Sequence, residues 1–352
     1  MHTSDRSDFY KFICDFPNQI KKSSTFLKEI KIKEFKLPFE NIVINGMGGS
    51  AIAGDLLKAY LHDGLKIPLI VNRNYTFPNF VGPKTFFIAC SYSGNTEETL
   101  HAYQLALKKK AQILAIASGG ELEKNATKSS IPFIKIPGDY PPRQALGYLF
   151  FPILFLLNEM GIIKVKTKDI NETVEVTKEL RDRCHPKKTH SHNLSNQIAQ
   201  KLYKKIPIIY SAANIFEPVV IRWRNQFNEN SKVLSFSNVF PELNHNEIMG
   251  WEAPKEILSN LNIILLRDPS ELPRNKKRLE ITKDIFQNNH FPIIEVFGEG
   301  KSTLSRIFSM IYIGDWVSYY LALLYDKDPY KIKSINLLKE TLSQYKDKVK
   351  VN

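Results

Sequence analysis

Cysteine is scarce in this chain: Cys14, Cys90 and Cys184 are the only three. They stand too far apart for a disulfide framework and make no CxxC or zinc-type spacing, which points to a reducing compartment such as the cytoplasm. Acidic tracts, Gln/Asn-rich stretches and a Pro-rich tail are also missing, so the composition carries no signature of disorder. The longest apolar run, Ala145 to Leu157, falls short of the roughly 20 residues a membrane span requires. It reads as a buried helix bent at Pro152. Asp, Arg and Lys precede any apolar run at the N-terminus, a pattern unlike a secretory leader.

What is present describes an ordinary folded protein. The 352 residues are 43% hydrophobic and 24% charged, enough for two cores, and we expect domains at residues 1–160 and 161–352. The net charge of +13 raises the question of nucleic acid. The basic residues are dispersed, and the densest groups, Lys108 to Lys110 and Lys201 to Lys205, belong on surface helices. A nucleic-acid surface needs them clustered; dispersed, they attract small anions. We expect neither a nucleic-acid nor a membrane partner.

Short apolar runs alternate with helix-length amphipathic stretches. Strands are expected at Ile42 to Asn45, Pro68 to Asn72, Thr85 to Cys90, Gln112 to Ala117 and Pro132 to Ile136, with helices at Ser50 to Leu61 and Asn95 to Lys108. After a charged, polar stretch near Gly161 to Asn196, the alternation resumes through strands beginning at Ile206, Leu234, Asn262 and Phe291. Helices Ile215 to Gln226, Glu271 to Gln287 and Ser302 to Leu324 lie among them, and Lys333 to Gln344 forms a last helix. Strands separated by helix-length segments specify an α/β fold, here two parallel sheets flanked by helices.

Chemistry is concentrated where strands pass into helices. The first strand ends in Gly46-Met47-Gly48-Gly49-Ser50, a turn whose backbone can approach an anion at a helix N-terminus. It also fits the loose dinucleotide pattern G-x-G-x-x-A. That reading lacks the acidic residue at the end of the second strand, where Arg73 could only suit a 2′-phosphate. The third strand ends in Ser91-Tyr92-Ser93-Gly94-Asn95-Thr96. Three hydroxyls on one turn, ahead of a helix, can cup a monophosphate without a lysine; simple N-capping by Ser93 or Asn95 is the plainer alternative. Arg143 falls in the first turn of the Ala145 helix, where a cation opposes the helix dipole. Glu229 ends a helix, where the dipole disfavours its charged form, a placement suited to a general base. His245 lies in a polar run between apolar anchors, and a surface histidine is the plainer reading. Cys184-His185 with His190 and His192 reads as an exposed linker, and no metal is expected.

The two loops resemble the sugar isomerase, or SIS, domain family, which implies that Ser50, Ser91, Ser93 and Thr96, with the amides of Gly48 and Gly49, hold a sugar phosphate. Together with Pro141 to Tyr148, Asn228 to Lys232, Phe240 to Glu247 and the late Leu337 to Glu340, they resemble the bifunctional phosphoglucose/phosphomannose isomerase family. That resemblance implies an aldose–ketose isomerase working through a cis-enediol without metal or cofactor. Glu229 would carry the proton between C1 and C2. His245, reaching in from the partner of a homodimer, and Lys339 would open the ring, and Arg143 would steady the enediolate. Ser334 is the hydroxyl that would help admit mannose. A noncatalytic sugar-phosphate-binding protein and an NADP-dependent enzyme are the competing readings.

Overall fold

The computed structural model describes residues 5–188, 193–213 and 215–345. In chain order, helices α1 (Phe9–Cys14) and α2 (Phe16–Ser23) are followed by β1 (Asn41–Asn45), α3 (Gly48–Tyr60), β2 (Leu69–Asn72), β3 (Thr85–Cys90), α4 (Glu97–Lys108), β4 (Gln112–Ala117), α5 (Gly120–Lys128), β5 (Phe133–Lys135) and α6 (Leu146–Glu159). Then come α7 (Thr167–Cys184), α8 (Leu194–Leu202), β6 (Ile206–Ala212), α9 (Glu217–Gln226), a π-helical turn (Phe227–Ser231), β7 (Phe236–Phe240), α10 (Lys255–Leu258), β8 (Leu261–Arg267), α11 (Pro273–Asn288), β9 (Ile293–Phe297), α12 (Thr303–Leu324) and α13 (Lys333–Ser343).

Two compact units result. One holds Asn18–Lys166 together with the chain from Ile332; the other holds the chain up to Pro17 together with Thr167–Lys331. The expected division into 1–160 and 161–352 is therefore modified by an exchange of both terminal segments. For the N-terminal segment the cause is visible in its own unit. Phe16 packs on Phe308 and stacks on Tyr312, with ring centroids 5.6 Å apart in each pair, and the Tyr312 hydroxyl donates to the Ile13 carbonyl at 2.9 Å.

The first unit contains the sheet β2-β1-β3-β4-β5, parallel throughout. Its central strand β3, Thr-Phe-Phe-Ile-Ala-Cys, is buried at every position, as expected for a parallel strand covered on both faces. Helix α4 turns Thr99, Ala102, Tyr103 and Ala106 inward, the i, i+3, i+4, i+7 stripe of an amphipathic helix. The last three join Val43, Phe87 and Ala115 in one core cluster. Since β1 is followed by β2 on one side and β3 on the other, the C-terminal ends of β1 and β3 form the switch point at which open parallel sheets bind ligands.

The second unit contains the parallel sheet β7-β6-β8-β9. Helix α12 runs through its core with every residue from Leu304 to Leu323 buried. It is longer than the Ala145 run and has the length and apolarity of a membrane span, yet 94% of its most apolar window is buried inside the protein. Buried polar pairs fit that role: Asp315 receives Arg222 at 3.1 Å and Gln226 at 2.7 Å. Helix α5 was not anticipated, because it offers only a narrow apolar stripe: Leu122 and Ala126 are its only buried residues.

Candidate active site

The loops after β1 and β3 come together at the switch point of the first unit. The amide of Tyr92 donates to the Ser50 hydroxyl at 3.3 Å, and the hydroxyls of Ser91 and Thr96 share a hydrogen bond of 2.8 Å. Ser50 and Ser91 are almost fully buried, whereas Ser93 is exposed. The N-capping alternative is not realised: Thr96 occupies the N-cap position of α4 without a side-chain capping bond. The Ser93 hydroxyl instead accepts from the Asn95 amide, and the Asn95 side chain accepts from the Glu121 amide. Neither expected cap serves the first-turn N–H groups of α4, which suits a helix N-terminus that receives an anion.

Backbone shape at the cup depends on glycine at two points. Gly94 takes φ +70°, and a Cβ there would lie 1.8 Å from the Gly119 carbonyl oxygen. A Cβ on Gly49 would lie 3.0 Å from the Pro142 carbonyl oxygen, so the start of α3 packs closely on the segment carrying Arg143. Arg143 is buried, and it stands in a separate 3₁₀ turn, Pro142–Gln144, rather than in the first turn of α6 as expected. The side chain that secures this turn is far away in sequence. Gln19, fully buried, donates to the Gln144 carbonyl at 2.7 Å and accepts from the Gly147 amide at 3.1 Å. Its separation of 125 residues from Gln144 left no signal in the local pattern.

At the end of β2, Asn72 donates to the Asn45 side chain at 2.6 Å, and Arg73 pairs with Asp55 of α3. Burial raises the Asp55 carboxyl above its usual range, with Arg73 opposing the effect. The residue on which a 2′-phosphate reading depended is thus engaged with a carboxylate of its own unit. Cys90, between the two loops, is buried, which pushes its thiol up to about 12. It offers no thiolate to the site.

Glu229 and His245 belong to the second unit. Glu229 is partly buried within the π-helical turn Phe227–Ser231, so the expected α-helical end is replaced by a wider turn. His245 closes the 3₁₀ turn Glu242–His245 and is exposed. Its neighbours explain that exposure: Leu243 and Trp251 enter the core cluster with Tyr210, Phe286 and Leu265. Glu247, to which the local pattern gives no role, accepts from Tyr210 and, at 2.5 Å, from Asn238. Burial and that carboxylate raise the Tyr210 phenol well above its ordinary range, so it remains a donor. Both flanks of the loop are fixed, and His245 is left at its outer edge. Lys339 and Ser334 are exposed on α13, which clusters with the first unit.

Cys184 is buried at the end of α7 rather than in an exposed linker, 3.2 Å from the Ser195 hydroxyl. His190 and His192 lie outside the described residues. Among the described residues no group of three or more His, Cys, Asp or Glu side chains is arranged to hold a metal.

Comparison with known proteins places these features. Residues 39–129 match the SIS domain family, and residues 191–342 match the bacterial phospho-glucose isomerase C-terminal SIS domain. The chain is 44% identical over 338 residues to the bifunctional phosphoglucose/phosphomannose isomerase of Caldicellulosiruptor bescii, covering 96% of this chain and 100% of that one. It is 33% identical to the protein of the same name from Aquifex aeolicus, covering 96% and 99%. A hypothetical protein from Thermus thermophilus shares the fold, with a TM-score of 0.77 at 13% identity over 96% of this chain and 91% of that one. On identity sustained over nearly its whole length, the chain belongs to the bifunctional phosphoglucose/phosphomannose isomerase family.

Proposed function

We propose that this protein interconverts fructose 6-phosphate with glucose 6-phosphate, and also with mannose 6-phosphate, by proton transfer through a cis-enediol. The observation that carries this reading is the cup at the ends of β1 and β3. Ser91 and Thr96 face one another, at 2.8 Å, ahead of a helix whose first turn Ser93, Asn95 and Thr96 leave uncapped. Phosphate oxygens there would be met by the hydroxyls of Ser50, Ser91, Ser93 and Thr96 and the amides of Gly48 and Gly49. Binding energy from that remote phosphate then holds the reacting carbons in place.

The chemistry needs three further acts. His245 and Lys339 relay a proton between the ring oxygen and the anomeric hydroxyl, so that the C1–O5 bond breaks and a free carbonyl forms at C1. Glu229 removes the proton from C2 while the C1 carbonyl oxygen gains a proton, giving the cis-enediol. The same carboxyl returns its proton to C1 as the O2 proton departs and the C2 carbonyl forms, which conserves atoms and charge. Arg143 offsets the negative charge that develops on the enediolate oxygens. A positioned base of this kind contributes on the order of 10²–10⁴-fold. No metal or cofactor enters the scheme.

Family membership supports a homodimer in which His245 crosses to the partner's site, and its exposure at the edge of a fixed loop is consistent with that role. Three thiols with no expected pairing are in keeping with a cytoplasmic enzyme. A coupled assay on fructose 6-phosphate and on mannose 6-phosphate, with and without chelator, tests the reading. We expect turnover of both sugars and no effect of chelator; absence of turnover on either sugar refutes it.

A further inference from the structure

We infer that Lys232 is a positioning residue for Glu229, holding from outside the π-helical turn that presents the carboxylate. This inference rests on the assignment of Glu229 as the base. From inside, the turn is tied to α12: Asn230 donates to the Ser318 hydroxyl at 2.9 Å, and the Ser231 hydroxyl donates to the Ser318 carbonyl at 2.6 Å. The Ser318 hydroxyl in turn donates to the Asp315 carbonyl at 2.7 Å. Phe227, Asn230 and Ser231 are buried on that side.

The outer side is a helix terminus, which exposes carbonyls that need donors. Lys232 provides them. Its ammonium donates to the carbonyl oxygens of Glu229 at 2.7 Å, Asn230 at 3.2 Å and Asp328 at 3.0 Å. An ammonium has three donors and no acceptor, which suits a site formed by carbonyl oxygens. The backbone at Lys232 is left-handed, with φ +59°, a conformation that glycine adopts more readily. A lysine held there is explained by what its side chain does. With Ser318 on one side and Lys232 on the other, the peptide of Glu229 is fixed, and with it the direction of the Cα–Cβ bond that aims the carboxylate. π-Helical turns are rare and recur at functional sites, and this one carries the proposed base.

Lys232 is exposed, so its replacement spares the core, and Lys232→Met and Lys232→Arg both keep a side chain at the left-handed position. In the full-length protein, Lys232→Met should lower kcat by roughly tenfold or more, as a misplaced base does, while KM moves less than about twofold. The primary isotope effect on kcat with C2-deuterated glucose 6-phosphate should rise, because proton transfer becomes more fully rate-limiting. Lys232→Arg should recover most of the lost kcat. The isotope effect is a ratio and does not depend on the folded fraction. The assignment is overturned if Lys232→Met turns over like the wild type, or if its loss comes with an unchanged isotope effect and no recovery in Lys232→Arg. Wild-type protein without isomerase activity would instead remove the reading of Glu229 itself, and this inference with it.

Discussion

Single side chains line the proposed phosphate cup, and their expected contributions differ. Ser91 is buried and its hydroxyl is shared with Thr96. Between the two side chains that bond is worth about 1 kcal/mol, whereas a hydrogen bond to a charged phosphate is worth about 1.5–3 kcal/mol. Ser91→Ala should therefore raise KM for fructose 6-phosphate by roughly 10- to 100-fold while its melting temperature stays close to wild type. Steady-state kinetics beside a thermal melt separate the two effects. The meeting of Ser91 and Thr96 was legible in the sequence because both crowd onto one strand-to-helix turn. Gln19 and Glu247 were not, because they act on groups that only the fold brings near: Gln19 on Gln144 and Gly147, Glu247 on Tyr210 and Asn238.

Among the elements, α12 shows how tightly the second unit is packed. Gly314 lies against Trp223 of α9, and a Cβ there would come within 2.5 Å of the indole. Such overpacking costs about 1–3 kcal/mol; Gly314→Ala should lower the melting temperature, and calorimetry would measure the drop. The strands were readable because they are short runs of Ile, Val, Leu and Phe between polar turns, and β3 and β4 begin and end where the sequence places them. The π-helical turn was not, since residues 227–231 read simply as the end of a helix. Nor could the sequence reveal how the second sheet treats its own switch point. After β8, Arg306 donates to Asp268 at 2.6 Å and to Ser270 at 2.6 Å, so a buried ion pair occupies the place that hydroxyls line in the first unit.

At the scale of the whole molecule, the chain builds two parallel sheets from one alternating pattern, yet the pattern hides the exchange of its terminal segments, which depends on tertiary contacts such as Phe16 on Tyr312. One contact that braces the second unit contributes to acid stability. Glu172 of α7 accepts from the amides of Lys301 and Ser302, at 2.7 and 2.9 Å, and from the Ser305 hydroxyl at 3.2 Å. Desolvation works to raise its pKa, but the Ser302 side chain, together with those hydrogen bonds, prevails and holds it down from 4.5 to about 2. A carboxyl depressed by folding stabilises above its unfolded pKa, and that contribution is lost as pH falls through the folded value. The stability advantage of wild type over Glu172→Gln should hold at neutral pH and fade between about 4.5 and about 2; denaturant melts at several pH values would follow it. The central claim is that a carboxylate at position 229 moves the carbon-bound proton of a phosphate-anchored sugar. Its most direct test compares Glu229→Gln with wild type, in turnover of fructose 6-phosphate and in calorimetric binding of the same sugar. We predict that turnover is lost while binding persists; a Glu229→Gln protein that isomerises at the wild-type rate would contradict the account.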